Sequence, residues 1–286
     1  MLSPRPEIIR NASSLPSVPA LIVERSVWQR LTTGDWFYKI IVVVMFCVVW
    51  ETYGWILDNP LLFPTFSETL AAFINAVRSG ELIDRSLYSL KILIIGYAAG
   101  LLLAALLTAF AMLTRFGAAM LEVLTSMFNP LPAIALLPLA LIWFGIGNVS
   151  IVFVLVHSVL WAVSLNTFSG FSTVSQTLRL VGHNYGLNGF RFIRLILIPA
   201  ALPSIITGMK VGWAFAWRTL IAAELVFGVS SSSGGLGWFI FENKSLLEIP
   251  NVFAGLFAVI LIGLIMENIL FRNIETRTIR RWGQQS

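Results

Sequence analysis

Apolar runs recur along the chain from Tyr38 onward, separated by shorter intervals in which polar and basic residues gather. A hydrocarbon core about 30 Å thick is crossed by about 20 helical residues, and each run is long enough to do so. The pattern predicts membrane-crossing helices over Tyr38–Leu57, Leu87–Leu113, Gly117–Phe144, Val149–Phe171, Ala201–Val229 and Val252–Phe271. The third is interrupted by FNPLPAIALLP, in which Pro130, Pro132 and Pro138 each remove a backbone donor. A helix broken at membrane depth survives only where protein or a water-filled cavity takes up the freed backbone groups. Between the first and second spans, Pro64 and Ser67 precede Leu70, Phe73, Ile74 and Val77 at helical spacing, which predicts a short surface helix. Upstream, VPALIVERSVWQRL fits either an amphipathic helix on the membrane surface or a loosely ordered tail.

Composition turns this pattern into a class. Hydrophobic residues make up 57% of the chain and charged residues 12%, with a mean hydropathy of +0.85, against roughly 25% charged in a soluble domain. The reading is an all-α polytopic membrane protein of about six spans. Its expected organisation is a cytoplasmic N-terminal tail (1–37), a first helix and periplasmic segment (38–85), a transmembrane core (86–272) and a basic C-terminal tail (273–286). The net charge of +5 does not assemble into an aromatic-and-basic surface of the kind that binds nucleic acid, and it reads better as topology. With the N-terminal tail inside, the inner intervals hold Arg5, Arg10, Arg25, Arg30, Lys39, Arg115, Arg179, Arg191, Arg194, Arg272, Arg277, Arg280 and Arg281, and the outer ones only Arg78, Arg85 and Lys244. Both termini are therefore expected in the cytoplasm. The first residues lack the apolar core of a cleavable signal peptide and are expected to be retained. Cys47 is the only cysteine, which leaves no disulfide framework and no thiolate metal site.

Candidate chemistry is sparse. His157 and His183 fall on opposite sides of the predicted topology, with no carboxylate near enough in sequence to complete a metal site. Ser158 and Ser169 have no evident base, and hydroxyls in membrane helices usually bond their own backbone. The stretch SSSSGGLG from Ser230 lacks the lysine and hydroxyl of a phosphate loop, so the chain is not expected to hydrolyse ATP. Small residues at every fourth position, Gly96, Gly100, Ala104 and Thr108 on the second span and Gly208, Gly212 and Ala216 on the fifth, predict close helix packing. Arg218 and Glu224 lie well inside the fifth span, where a charge requires a partner or an aqueous path. Six residues apart, they do not stack on one helix face, and Arg218 either lines a path or joins an ion pair with another helix. Lys91, Lys210, Glu122 and Glu267 sit near predicted ends and can snorkel.

One interval carries a family pattern. VGHNYGLNGFRFIRLILIPAALP, between the fourth and fifth spans, is basic and glycine-punctuated with no acidic residue. Gly186, Ile196 and Pro199 stand at the offsets of the E-A-A, Gly, Ile, Leu-Pro loop of permeases of binding-protein-dependent ABC importers, with Leu180, Val181 and Gly182 at the E-A-A positions. FNPLPAIALLPLALIWFGIGNVS, AWRTLIAAELVFG and GGLGWFI resemble the nitrate/sulfonate/taurine branch of that family, over roughly Ser86 to Arg272. The resemblance implies a type-1 permease fold in the bacterial inner membrane, importing a small organic or inorganic anion. It implies as partners a second permease copy, a periplasmic binding protein, membrane lipid and separate ATPase subunits that hold ATP and Mg, with no cofactor in this chain. The loop would be a coupling helix docking the ATPase through Arg179, His183, Asn184, Tyr185, Gly186 and Arg191, with Thr173 to Tyr185 as its first helical piece and Phe190, Ile193 and Ile196 seating the second. The path would involve Pro130, Pro132, Trp217, Arg218, Thr219 and Glu224. An ion-driven secondary transporter, also a bundle with broken helices, and a membrane enzyme or sensor are the rival readings.

Overall fold

A computed structural model describes residues 35–227 and 234–278, and every regular element among them is helical. The amphipathic segment expected near residue 18 lies outside them. The chain divides into two units, Met1–Val49 and Trp50–Ser286. Helix α1 (Asp35–Leu57) runs from one into the other. From Ile40 to Phe46 its apolar side chains are exposed, as a lipid-facing helix requires.

The second unit begins by pinning the chain after α1. Trp50 Nε1 donates to the Pro64 carbonyl at 3.0 Å, and the Glu51 carboxylate accepts from the Ser67 backbone N–H and hydroxyl. Helix α2 (Phe66–Arg78) then starts on a capping box of Thr65 and Glu68. Its buried positions are Thr69 and Ala76, with Phe73 and Val77 against the core, whereas the predicted Leu70 and Ile74 are exposed.

Three long helices form the centre: α3 (Glu81–Leu113), α6 (Asn148–Ser172) and α9 (Leu202–Phe227). The glycine stripes explain why α6 lies between the other two. A Cβ on Gly96 would come within 2.7 Å of Leu155 Cβ, and one on Gly100 within 2.7 Å of Val159 Cβ. From the other side Gly208 faces Asn166 at 2.8 Å and Gly212 faces Val163 at 3.0 Å. Larger residues at those four positions would force the helices apart, which is the packing role the spacing predicts.

The prolines do break the third span. Helix α4 (Arg115–Phe128) and the segment Ala133–Phe144, a tight turn leading into α5 (Leu137–Phe144), meet at 88°. Fourteen residues in α4 give about 21 Å of helix, too short to cross alone. Gly145 closes α5 with a φ of +74°, and the buried Ser150 hydroxyl bonds the Ala140 and Gly145 carbonyls. A second bend of 79° separates α8 (Gly189–Ala200) from α9. After α9 come α10 (Leu236–Ser245) and α11 (Ile249–Ile265), the latter prolonged by a π turn at Met266–Phe271 and by α12 (Arg272–Thr278). Four unbroken helices and two bent pairs are long and apolar enough to account for the six predicted spans.

Candidate translocation cavity and coupling loop

The break in the third span leaves a cavity of about 370 Å³ between Phe128–Ile134, α6 and α9. Pro130 and Pro132 supply its rim, His157, Ser158 and Trp161 its α6 wall, and Phe215, Arg218, Thr219 and Ala222 its α9 wall. His157 and Trp161 are one turn apart on α6, with ring centroids 6.1 Å apart. Phe128 stacks on Trp161 at 5.4 Å and 13°, and meets His157 edge-on at 6.3 Å. Arg218 is exposed and makes no hydrogen bond or ion pair among the described residues. Among the described residues it is the only charged one lining this cavity. No Asp or Glu occurs between Glu122 and Glu224, the stretch that supplies the entire lining.

Four of the six residues expected on the path are therefore gathered here: Pro130, Pro132, Arg218 and Thr219. Trp217 lines a different cavity of about 310 Å³, with Lys210, Gly263 and Glu267, and Arg218 borders that one too. Lys210 and Glu267, expected to snorkel separately, pair at 3.1 Å across it.

Glu224 lies elsewhere and does different work. It is 4% exposed, and its carboxylate accepts from the Ser89 hydroxyl of α3 at 2.8 Å and from the Gly237 backbone N–H at 2.8 Å. Ser89 in turn accepts from the Leu236 N–H at 2.8 Å. These contacts satisfy two backbone donors that the first turn of α10 leaves without partners. A Cβ on Gly235 would fall on Ser89 Oγ and Glu224 Oε1, and one on Gly237 would lie 2.6 Å from Glu224 Cβ. The A-A-E and G-L-G sequences are thus two halves of one clasp, and Glu224 closes it with its side chain turned away from the cavity.

The loop between α6 and α9 takes the shape its glycine predicts. Helix α7 (Gln176–Asn184) is shorter than the expected Thr173–Tyr185, because Thr173 caps the end of α6 and Ser175 begins α7 by accepting from Leu178 N–H. It ends with Leu187 N–H donating to the Gly182 carbonyl and Gly186 N–H donating to that of His183, with Gly186 at φ +72°. This is a Schellman ending, in which the residue at Gly186 must adopt a left-handed conformation. A satellite core of Phe171, Val174, Phe192, Ile193, Leu197 and Ala201 anchors the loop. Phe190, expected in that core, is 63% exposed. Ile193 is buried and Ile196 packs against that core as expected, and Phe192 and Leu197, the latter on the π turn at Ile193–Leu197, fill the rest of it.

Of the expected docking residues, Arg179 is spoken for: its guanidinium donates to the Val174 and Phe171 carbonyls and caps the end of α6. His183 stacks on Phe192 at 5.0 Å. Asn184, Tyr185 and Arg191 are exposed. The hydrophobic part of the surface lies at Leu178, which the sequence pattern does not mark, and at Leu180 and Val181, which stand at two of the E-A-A positions. Leu180 is 62% and Tyr185 81% exposed, so the helix presents apolar side chains, with Leu180 on a different side from Leu178, Val181 and Tyr185, that nothing in the described residues covers.

Residues 96–280 match the family described as the binding-protein-dependent transport system inner membrane component. An ABC transporter permease protein of Methanocaldococcus jannaschii is 29% identical over 258 residues, covering 89% of this chain and 95% of that protein. An aliphatic sulfonates transport permease protein of Escherichia coli is 27% identical over 236 residues, covering 82% and 86%. A taurine transport system permease protein of the same organism is 29% identical over 147 residues, covering 51% and 52%. Permeases of this kind are not enzymes, and the ATPase and binding protein of such a system are separate subunits, in line with the absence of a phosphate loop from the sequence. With the broken third span, the anchored loop and a match over most of its length, this chain belongs to the family of binding-protein-dependent transport system inner membrane components and is a permease subunit of an ABC importer.

Proposed function

We propose that the cargo is a small organic anion of the sulfonate class, and that the cavity beside Arg218 is part of its route. The observation that carries this reading is the charge of the lining: one unpaired guanidinium, with no carboxylate in the stretch that builds the wall. A fixed positive charge between low-dielectric walls raises the local concentration of anions and opposes cations. Thr219 adds a hydroxyl to the same wall. The relatives named for aliphatic sulfonates and for taurine support the same class.

In this reading α7 lies in the cytoplasm, as do both termini, consistent with the excess of arginine in the intervals on that side. The exposed apolar side chains of α7, Leu178, Leu180, Val181 and Tyr185, dock a cytoplasmic ATPase, together with Asn184 and Arg191. An exposed apolar surface of this kind on a polar-facing helix marks a protein contact. ATP and Mg are held by the ATPase. Two copies of the permease, surrounded by lipid, form the path, and closure of the ATPases moves the two loops together and rocks the bundles between inward-open and outward-open packings.

The test is reconstitution with the ATPase and binding protein in proteoliposomes. ATP-dependent uptake of radiolabelled taurine or an alkylsulfonate is expected, with no uptake of an organic cation of similar size. Gly186→Val should reduce co-purification of the ATPase, because a β-branched residue resists the left-handed turn. Uptake that needs no ATPase would favour an ion-driven carrier instead.

A further inference from the structure

The cavity that Trp217 borders has a different electrostatic design. Along α9 the first cavity is lined from Phe215 to Ala222 and this one from Lys210 to Arg218, so it lies nearer the loop that precedes α9, and Arg218 is the residue the two share. Lys210, Ala214 and Arg218 follow one another at intervals of four, on one stripe of the helix. Two cationic side chains therefore start about 12 Å apart along one wall, with an alanine between them. Glu267, on the facing helix, is the only carboxylate in this lining among the described residues, and it pairs with Lys210 at 3.1 Å.

Three features set this pair apart from scaffold. Its side chains are 45% and 59% exposed, where Glu224 is sealed. A pair so open is weakly held, and at membrane depth such charges face an aqueous path or a partner in preference to lipid. Glu267 also stands in the π turn at Met266–Phe271, an irregularity found often at functional sites. Finally, the two helices leave room between them. A Cβ on Gly263 would meet nothing nearer than Trp217 Nε1 at 3.5 Å, unlike the glycines that seat α6. Trp213, one turn from Lys210, meets Phe271, one turn from Glu267, edge-on at 6.1 Å. Rings and charges thus tie the helices at the loop end, and they stand apart at Gly263.

We infer that this cavity is an inner chamber of the route and that Lys210 and Glu267 are its latch, which rests on the importer reading above for direction and cargo. Closed, the pair ties α9 to α11 and cancels its own charge, so the chamber beyond Arg218 offers an anion no further cation. Open, it clears the loop end and frees Lys210, and an anion at Arg218 finds a second cation about two turns further on. Attraction toward the exit is switched on only when the exit is open.

Ala214→Cys, in a Cys47→Ser background, reports from the chamber wall. Inside-out vesicles holding the permease–ATPase complex, trapped closed with ATP and vanadate, are treated with sulfonatoethyl or trimethylammonioethyl methanethiosulfonate, anionic and cationic reagents added on the ATPase side. Both should react slowly with the latch intact. Glu267→Gln and Lys210→Gln should each raise the mean of the two rates about tenfold, because either opens the latch. The ratio of anionic to cationic rate should rise about three- to tenfold in Glu267→Gln and fall by a similar factor in Lys210→Gln, as the charge left behind dictates. The double variant Lys210→Glu with Glu267→Lys, which re-forms the pair in reverse, should return both readings to those of the intact latch. Ratios that shift while the mean rates stay unchanged would show local charge without closure and overturn the latch, as would a swapped variant that reacts like either single one. Binding-protein-stimulated ATP hydrolysis, measured on the same complex in nanodiscs, reports separately on the importer reading. Stimulation with unchanged mean rates sinks the latch alone, and pair-dependent rates without stimulation sink the importer reading alone.

Discussion

Arg218 and Glu224 are separated by less than two turns of one helix, and both are ionisable residues at membrane depth, yet their surroundings are opposite. Glu224 is sealed, and both carboxylate oxygens are engaged by Ser89 and the start of α10. Arg218 is open to two cavities and makes no hydrogen bond or ion pair among the described residues. The contrast shows that depth in a membrane does not by itself assign a charged residue to a transport path. What decides is whether the protein has already satisfied it. A fully bonded group holds helices together, and an open one is available to a ligand.

This contrast can be broken at either end. The largest effect is expected from Glu224→Leu, which leaves the Ser89 hydroxyl and the Gly237 N–H buried without their partner and should lower stability by about 3 kcal/mol, measured as resistance to denaturation in detergent. If that variant is as stable as the wild type but fails to transport, Glu224 belongs to the path after all. Arg218→Leu is next, with the reverse signature: uptake falls about tenfold, ~1.4 kcal/mol, while stability is unchanged or slightly higher. A loss of stability there would show that the guanidinium has a structural partner. Smaller still is Ser89→Ala, which removes one member of the clasp and should cost about 1 kcal/mol with uptake retained in the protein that assembles.

Much of the scaffold was readable before any coordinates. Hydropathy located the spans, Pro130 and Pro132 located the break, and Gly186 located the left-handed turn, because each of these is a local constraint on the backbone. The partners of the ionisable residues were not readable, since pairing is set by tertiary packing. Ser89 is 135 residues from Glu224 along the chain, and nothing in either neighbourhood announces the other. The Lys210–Glu267 pair was hidden for the same reason. Arg179 looked like a docking residue by charge and position, and only the end of α6 beside it reveals that its donors are used as a cap. Phe190, Ile193 and Ile196 share a helical spacing, but only the two isoleucines pack, and Phe192 takes the buried place beside them, a choice made by the satellite core rather than by the local period. His157 is weighed in the sequence only as a metal ligand and set aside for want of a nearby carboxylate, and Trp161 carries no local signal of its own. Their spacing was the available signal, and it acquires meaning only once Phe128 and Arg218 are seen around the same space.

The central claim is that one face of α9 looks into an anion-accepting route and the adjoining face, which holds Ala223, is closed scaffold. Ala222 lines the cavity and Ala223 is fully buried, so two adjacent residues of equal size report on the two faces. With the free Cys47 replaced by serine, Ala222→Cys and Ala223→Cys are treated in membranes with sulfonatoethyl methanethiosulfonate, an anionic thiol reagent. Rapid modification of the Ala222→Cys variant, slowed by methanesulfonate, beside an unreactive Ala223→Cys variant is the predicted result; modification of both at similar rates, or of Ala223→Cys alone, would contradict the account.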